Sequence, residues 1–265
     1  MTRILEHGTD NERTLLFLPC TAEPAWAFER TIQLLAEKWH VFQVIYAGHE
    51  GDIPGNFSSI EATVADITAY LKKNNESSLD AAYGCSMGGA CLIQLISLGS
   101  ISVRHAIIDG GITPYTYPLI IRKAILLKDF LSFKLVSCSR RILEAAFPPE
   151  RFTLPGHGPK REYDELQEYL RTYSNRTIRN VFWSANNYAL PETPQLSGTE
   201  LFYWYGEEEE KAMRKDIRFI KKYFSEIRMK CIPGMAHAEL VMIHPEKFCA
   251  YAEEALIGGH ADERD

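Results

Sequence analysis

The sequence predicts an α/β fold: a mostly parallel central sheet with helices on both faces, interrupted by an inserted helical cap. Three observations predict it. Short apolar runs alternate with segments of helical periodicity along most of the 265 residues. The alternation lapses over about 112–197, where only helical patterns and helix breakers occur. A Gly-x-Ser-x-Gly turn stands at one of the strand-to-helix junctions. Strand–helix alternation implies parallel strands joined by right-handed crossovers, which leaves the strand C-termini and their following loops along one edge.

Taken in order, Thr14–Pro19 is a continuous apolar run, as expected of a strand buried on both faces. Trp26–Lys38 has helical period, with Phe28, Ile32, Leu35 and Trp39 near one face. Val41–Ala47 is the second strand. Ile60–Lys73 is an amphipathic helix striped by Ile60, Val64, Ile67 and Leu71, with Ser58 or Ser59 as its cap. Leu79–Cys85 is the third strand and Gly88–Ser97 the next helix. Arg104–Asp109 and Leu201–Tyr205 are the fourth and fifth strands. Lys211–Tyr223 is helical, Ile227–Ile232 is the sixth strand and Pro245–Ile257 the last helix. Gly258–Asp265 reads as a polar, frayed tail.

The core is therefore expected over 1–111 and 198–265, with the helical cap, 112–197, inserted in it. Within the cap, Pro118–Val136 is rich in Leu and Ile, with Arg122, Lys123, Lys128 and Lys134 interspersed. Such a helix either lies on a membrane surface or packs on its own domain, and packing is the commoner outcome. Arg140–Phe147 continues it, Pro148-Pro149 and Leu154–Pro159 break the pattern, and Glu162–Tyr173 is a further helix.

A net charge of -6 lacks the basic footprint of a nucleic-acid binder, so no nucleic-acid partner is expected. No apolar stretch reaches spanning length, so no stable membrane insertion is expected. Met1–Arg13 is mixed and charged, unlike a signal peptide. The six cysteines form no Cys-x-x-Cys pair and no zinc-binding spacing, and read as reduced thiols of a cytoplasmic protein.

The chemistry centres on Tyr83-Gly84-Cys85-Ser86-Met87-Gly88-Gly89. A serine on a sharp strand-to-helix turn is held in strained backbone geometry with its hydroxyl presented to the outside. The bland alternative is a glycine-rich turn of the kind that cradles phosphate. A nucleophilic serine needs a base, and the base needs an orienting acid. On such a turn the partners come in the order serine, acid, histidine. His237 follows the final strand, in a loop placed to reach back to Ser86. His105 starts a strand, His157 lies in the cap, His244 enters the last helix and His260 belongs to the tail. The acid is expected after the penultimate strand, where Glu207, Glu208, Glu209 and Glu210 stand in a row. Asp109, ending the fourth strand, is the other candidate, with binding of the Gly110-Gly111 turn as its plain role.

With these motifs the chain resembles the α/β-hydrolase superfamily, in its single-domain form with a helical cap, over about 14–111 and 198–257. The family's Gly-x-x-acid turn, carried onto Gly206-Glu207-Glu208-Glu209, implies Glu209 as the acid. Its Gly-x-Gly-His segment resembles Gly234-Met235-Ala236-His237, and its Gly-His-Gly turn resembles Gly48-His49-Glu50-Gly51, which implies a structural His49. The family's His-Gly after the first core strand is replaced here by Pro19-Cys20-Thr21. The resemblance implies an oxyanion hole from the Met87 N–H and that of Thr21 or Cys20, with Ser86, Glu209 and His237 as the triad.

The activity implied by the resemblance is that of a carboxylesterase-type serine hydrolase, acting on a small-molecule ester or thioester through an acyl-enzyme, with no metal and no organic cofactor. An aminopeptidase, with Glu144, Glu150, Glu162 or Asp164 holding the substrate amine, a carbon–carbon bond hydrolase and a non-catalytic ligand-binding protein stay open. So does a homodimer. The cap aromatics Tyr115, Tyr117, Phe130, Phe133, Trp183 and Tyr188 suggest an apolar or aromatic substrate group.

Overall fold

A computed structural model describes residues 2–51, 55–196 and 198–257. The tail expected over Gly258–Asp265, with His260, lies outside the described residues. Seven strands form one sheet: β1 (Arg3–His7), β2 (Thr14–Leu18), β3 (His40–Ile45), β4 (Ser78–Cys85), β5 (Ser102–Asp109), β6 (Glu200–Gly206) and β7 (Arg228–Ile232). Their order is β1-β3-β2-β4-β5-β6-β7, parallel throughout except for β1.

The apolar runs form this sheet because both of its faces are covered. Along β2, Leu16 and Leu18 enter one buried cluster while Leu15 and Phe17 enter the other. Ala82 and Tyr83 divide in the same way on β4, and Tyr203 and Trp204 on β6. This two-residue alternation fixes the register, since a one-residue slip would exchange the two faces.

β1 is a strand that the sequence pattern does not reveal. It pairs antiparallel with β3, from Arg3 opposite Ile45 to His7 opposite Val41. At the sheet edge it is only half-buried, so it carries no continuous apolar run. Glu6 ties it down by accepting from Tyr70 Oη at 2.5 Å and pairing with His40 at 2.8 Å.

The helices are α1 (Glu29–Ala36), α2 (Ile60–Lys73), α3 (Met87–Leu98), α4 (Leu119–Cys138), α5 (Arg140–Ala146), α6 (Pro149–Phe152), α7 (Pro159–Thr172), α8 (Asn175–Ala185), α9 (Glu210–Tyr223), α10 (Glu239–Ile243) and α11 (Pro245–Ile257). Ser59 caps α2, accepting from Ala62 N–H at 3.1 Å. Trp26–Lys38 does not run as one helix: Ala25–Phe28 is a 3-10 turn that leads into α1.

Helices α4 to α8 stand between β5 and β6 in the chain. They hold a small core of their own around Phe133, Leu143, Tyr163, Leu170, Tyr173 and Ile178. α8 serves the main core as well, through Val181 and Ala185. Ser184 Oγ accepts the Ile60 N–H at 2.7 Å, so α8 also helps to start α2. Among the described residues no helix is long and apolar enough to cross a membrane.

Candidate active site

Ser86 follows β4, the middle strand of the sheet, and precedes α3. Its backbone sits at φ 55°, ψ -114°, a region costly for any residue but glycine. Surrounding bonds hold it there: Ser86 N–H donates to Asp109 O at 2.9 Å, and Ser86 O accepts from Ala90 N–H at 3.1 Å and Ile112 N–H at 3.3 Å. A Cβ on Gly84 would meet Gly88 O at 2.5 Å, so strand and helix approach this closely only without side chains. Ala22, Ser86 and Ala238 all have positive φ, and all three line one cavity. Strain is thus gathered where the loops at the strand C-termini converge.

The run of four glutamates after β6 divides its labour. Glu207 Oε2 accepts the Gly234 N–H at 2.8 Å. Glu208 receives Arg151 Nη1 at 2.6 Å. Glu209 Oε2 accepts from His237 Nδ1 at 2.5 Å, while its Oε1 accepts the Gly206 N–H at 2.8 Å. Glu210 opens α9. A 3-10 turn over Glu207–Glu209 points successive side chains in different directions, which is why one carboxylate of the four turns inward. The Glu209 side chain is 9% exposed and the His237 imidazole 40%.

Burial alone would depress the pKa of His237. The hydrogen bond and charge of Glu209, aided by Asp109 and Glu23, outweigh it, and the net shift is upward. Asp109 is not bonded to the imidazole. Tyr83 Oη donates to its Oδ2 at 2.6 Å, and burial pushes its pKa up to about 6. Its side chain is therefore engaged by Tyr83, and the Gly110 N–H goes instead to Trp204 O at 2.8 Å. Gly110 backs the pair directly: a Cβ there would stand 2.8 Å from His237 Cε1 and Nδ1.

Ser86 and His237 line the same cavity, of about 360 Å³. Among the described residues Ser86 Oγ makes no hydrogen bond, and neither does His237 Nε2. Catalytic hydrogen bonds often tighten only when substrate is present. Cys20 and Thr21 line the cavity too. The Met87 N–H is the first of α3, at the positive end of its dipole. Among the described residues the backbone amides of Cys20, Thr21 and Met87 donate to no other group.

Four side chains, of which the sequence singled out only His49, set the 19–24 loop. Tyr46 Oη donates to Pro19 O at 2.8 Å. His49 Nδ1 faces Ala47 O at 3.4 Å, so its Nε2 is free to accept the Thr21 hydroxyl at 2.8 Å. Burial drops the His49 pKa to about 4, consistent with a neutral, structural imidazole. Tyr173, just past the end of α7, accepts the Ala22 N–H on its Oη at 3.3 Å, and Tyr169 Oη, on α7, donates to Glu23 O at 3.0 Å. Arg151, from α6, joins the two remaining loops: it binds Glu208 and both oxygens of Glu239, and donates to Gly234 O at 2.8 Å.

The cavity wall is mostly apolar, with Phe133, Phe147, Leu166, Phe182 and Met242 prominent. Of the cap aromatics named from sequence, Phe133 alone lines it. Tyr188 is buried in the main core, Tyr115 and Tyr117 pack against each other with their rings tilted by 45°, and Trp183 lies beneath Arg122. The acidic residues named for a substrate amine also lie elsewhere. Glu144 and Asp164 bind Arg140, and Glu162 lines a smaller adjoining cavity. The acids that do line the main cavity are Glu23 and Asp129, and its lining includes no Lys or Arg. Glu23 makes no side-chain hydrogen bond or ion pair among the described residues, and burial with the nearby Glu162 pushes its pKa up to about 8. Among the described residues no cluster of three His, Cys, Asp or Glu is arranged to hold a metal ion.

Comparison with known proteins places the fold. No protein-family model matches the chain, and no curated protein matches it in sequence. Solved structures do. It is similar to an α/β hydrolase family protein from Desulfitobacterium hafniense, with a TM-score of 0.72 at 14% identity over 96% of this chain and 100% of that one. It is also similar to a serine hydrolase from the polyaromatic-hydrocarbon-degrading bacterium Cycloclasticus zankles, with a TM-score of 0.69 at 15% identity over 98% and 95% of the two chains. A structure from a study of carboxylesterases of the thaumarchaeon Nitrososphaera gargenis gives 0.68 at 16% identity over 94% and 92%. The chain has the α/β-hydrolase fold.

Proposed function

We propose that the protein is a serine hydrolase of the carboxylesterase type, cleaving small-molecule esters or thioesters through Ser86, His237 and Glu209. The observation that carries this reading is the Glu209–His237 hydrogen bond at 2.5 Å, beside a cavity that both the imidazole and the strained Ser86 line. With Glu209 holding the Nδ1 proton, Nε2 carries the lone pair that accepts the Ser86 proton. Ser86 Oγ attacks the carbonyl carbon, and the imidazolium returns the proton to the leaving oxygen or sulfur. Water, deprotonated by Nε2, then attacks the acyl-enzyme and frees Ser86. The Met87 N–H and that of Thr21 or Cys20 stabilise the oxyanion. The likeness to a carboxylesterase-related structure and to a serine hydrolase supports the reaction class through fold alone.

The cavity favours an apolar acyl group over an anionic one, because its wall is mostly apolar and its lining includes no Lys or Arg to hold an anion. Glu23 also favours a second reading, an aminopeptidase that uses it to hold a substrate amine. A panel of p-nitrophenyl esters beside amino-acid arylamides separates the two. Fastest turnover of a neutral medium-chain ester supports the esterase. Preference for an arylamide bearing a free amine, lost in Glu23→Gln, supports the peptidase. Turnover of neither refutes both.

A further inference from the structure

The outer face of α4 is apolar where a surface helix should be polar. Ile120, Leu127, Leu131 and Leu135 are 77%, 58%, 51% and 56% exposed. At 3.6 residues per turn they fall within an arc of about 80°. Lys123 and Lys134 run along one margin of that arc and Lys128 along the other. The opposite arc of the same helix walls the cavity with Asp129, Ser132, Phe133 and Val136. Asp129, the acid of α4, belongs to that inner arc and pairs with Lys128 at 3.0 Å. Beside the stripe lies a separate hollow of about 350 Å³, lined by Lys123 and Arg179 together with Leu126, Leu127, Phe130 and Asn175.

We propose that this face docks reversibly on an anionic lipid bilayer, with a phosphate headgroup between Lys123 and Arg179 and the leucine stripe in the acyl boundary. An apolar stripe flanked by lysines is the pattern of a helix lying in a membrane interface. The rest of the molecule does not share this charge: the chain as a whole carries -6. A second copy is the poorer occupant. In a two-fold contact the same lysines would meet one another, with no carboxylate on the outer arc to receive them. Docking would set the helix that walls the cavity directly against the lipid. It rests on the surface alone and does not depend on the hydrolase reading.

The test is flotation of the full chain with phosphatidylcholine vesicles and with vesicles containing about a third phosphatidylglycerol. The account expects binding to the anionic vesicles, weakened by salt, and at least about tenfold less binding to the neutral ones. Lys123→Glu/Lys134→Glu and Leu127→Ser/Leu131→Ser/Leu135→Ser should each lower the anionic binding about tenfold or more. These side chains are outside the core, so circular dichroism should show both variants folded. No vesicle binding by wild type, or equal binding to both vesicle types, overturns the proposal. So does a dimer in light scattering that the triple serine variant dissociates, since a second copy then covers the face.

Discussion

Glu209→Gln alters one atom in a carboxylate whose two oxygens are both already committed as acceptors. Oε1 takes the Gly206 N–H at 2.8 Å and Oε2 takes His237 Nδ1–H at 2.5 Å. An amide supplies one acceptor and one donor group. If its oxygen stays on Gly206, the NH₂ faces Nδ1 and drives the imidazole proton to Nε2, the atom that accepts the Ser86 proton in the proposed mechanism. If the oxygen turns to His237, two donors confront each other at Gly206. Either way the charge that stabilises the imidazolium is gone. The expected loss is about 10³–10⁴-fold in kcat, or about 4–5.5 kcal/mol of barrier. KM should change little, because Glu209 does not line the cavity. Steady-state hydrolysis of p-nitrophenyl acetate measures both constants, with a thermal melt to show the variant folded. A kcat within tenfold of wild type would refute the reasoning, and loss of activity in Asp109→Asn instead would move the acid to the end of β5.

Neighbours that support this pair can be perturbed as well. Gly110→Ala places a Cβ 2.8 Å from the imidazole at a φ of +53°, so kcat should fall at least about tenfold and the urea midpoint should fall too; an unchanged rate contradicts the packing. Arg151→Met strips Glu239, a buried carboxylate, of its counter-ion and releases both loops from α6. A loss of about 2–3 kcal/mol is expected by urea denaturation, less than for a fully buried pair because Arg151 is partly exposed. Lys at the same position should rescue it poorly, since it cannot bind in the two-pronged way. In the proposed mechanism the pH profile is set by His237, a base only when neutral. Its pKa lies above the ordinary 6.5, so kcat/KM should rise with pH through a midpoint above that value. The same upward shift contributes stability that is full below the unfolded value and is lost as pH rises through the folded one. A kinetic midpoint below 6.5, or a stability slope of opposite sign, counts against the Glu209–His237 pair.

The sheet was legible because burial on both faces leaves apolar runs, and β2 to β6 carry them. β1 was not, because an edge strand buries too little to write a pattern. That Ser86 and His237 would line one cavity was legible from the Gly-x-Ser-x-Gly turn and from the place of His237 after the last strand. Among the four glutamates, composition is uniform, and only the turn geometry after β6 separates them; the family's Gly-x-x-acid spacing was the signal that pointed to Glu209. Glu23, Arg151, Tyr169 and Tyr173 were invisible for another reason. Their partners lie far away in sequence, across the junction between the cap helices and the core, and no local periodicity encodes such a contact. The cap aromatics misled for the converse reason: a ring looks the same in sequence whether it faces a cavity, another ring or the main core.

Treatment with a fluorophosphonate probe, read by intact mass and peptide mapping, tests the central claim most directly. The account predicts a single adduct on Ser86, absent in Ser86→Ala and formed far more slowly in His237→Ala. A folded protein left unlabelled at Ser86, or ester turnover that survives Ser86→Ala, would contradict it.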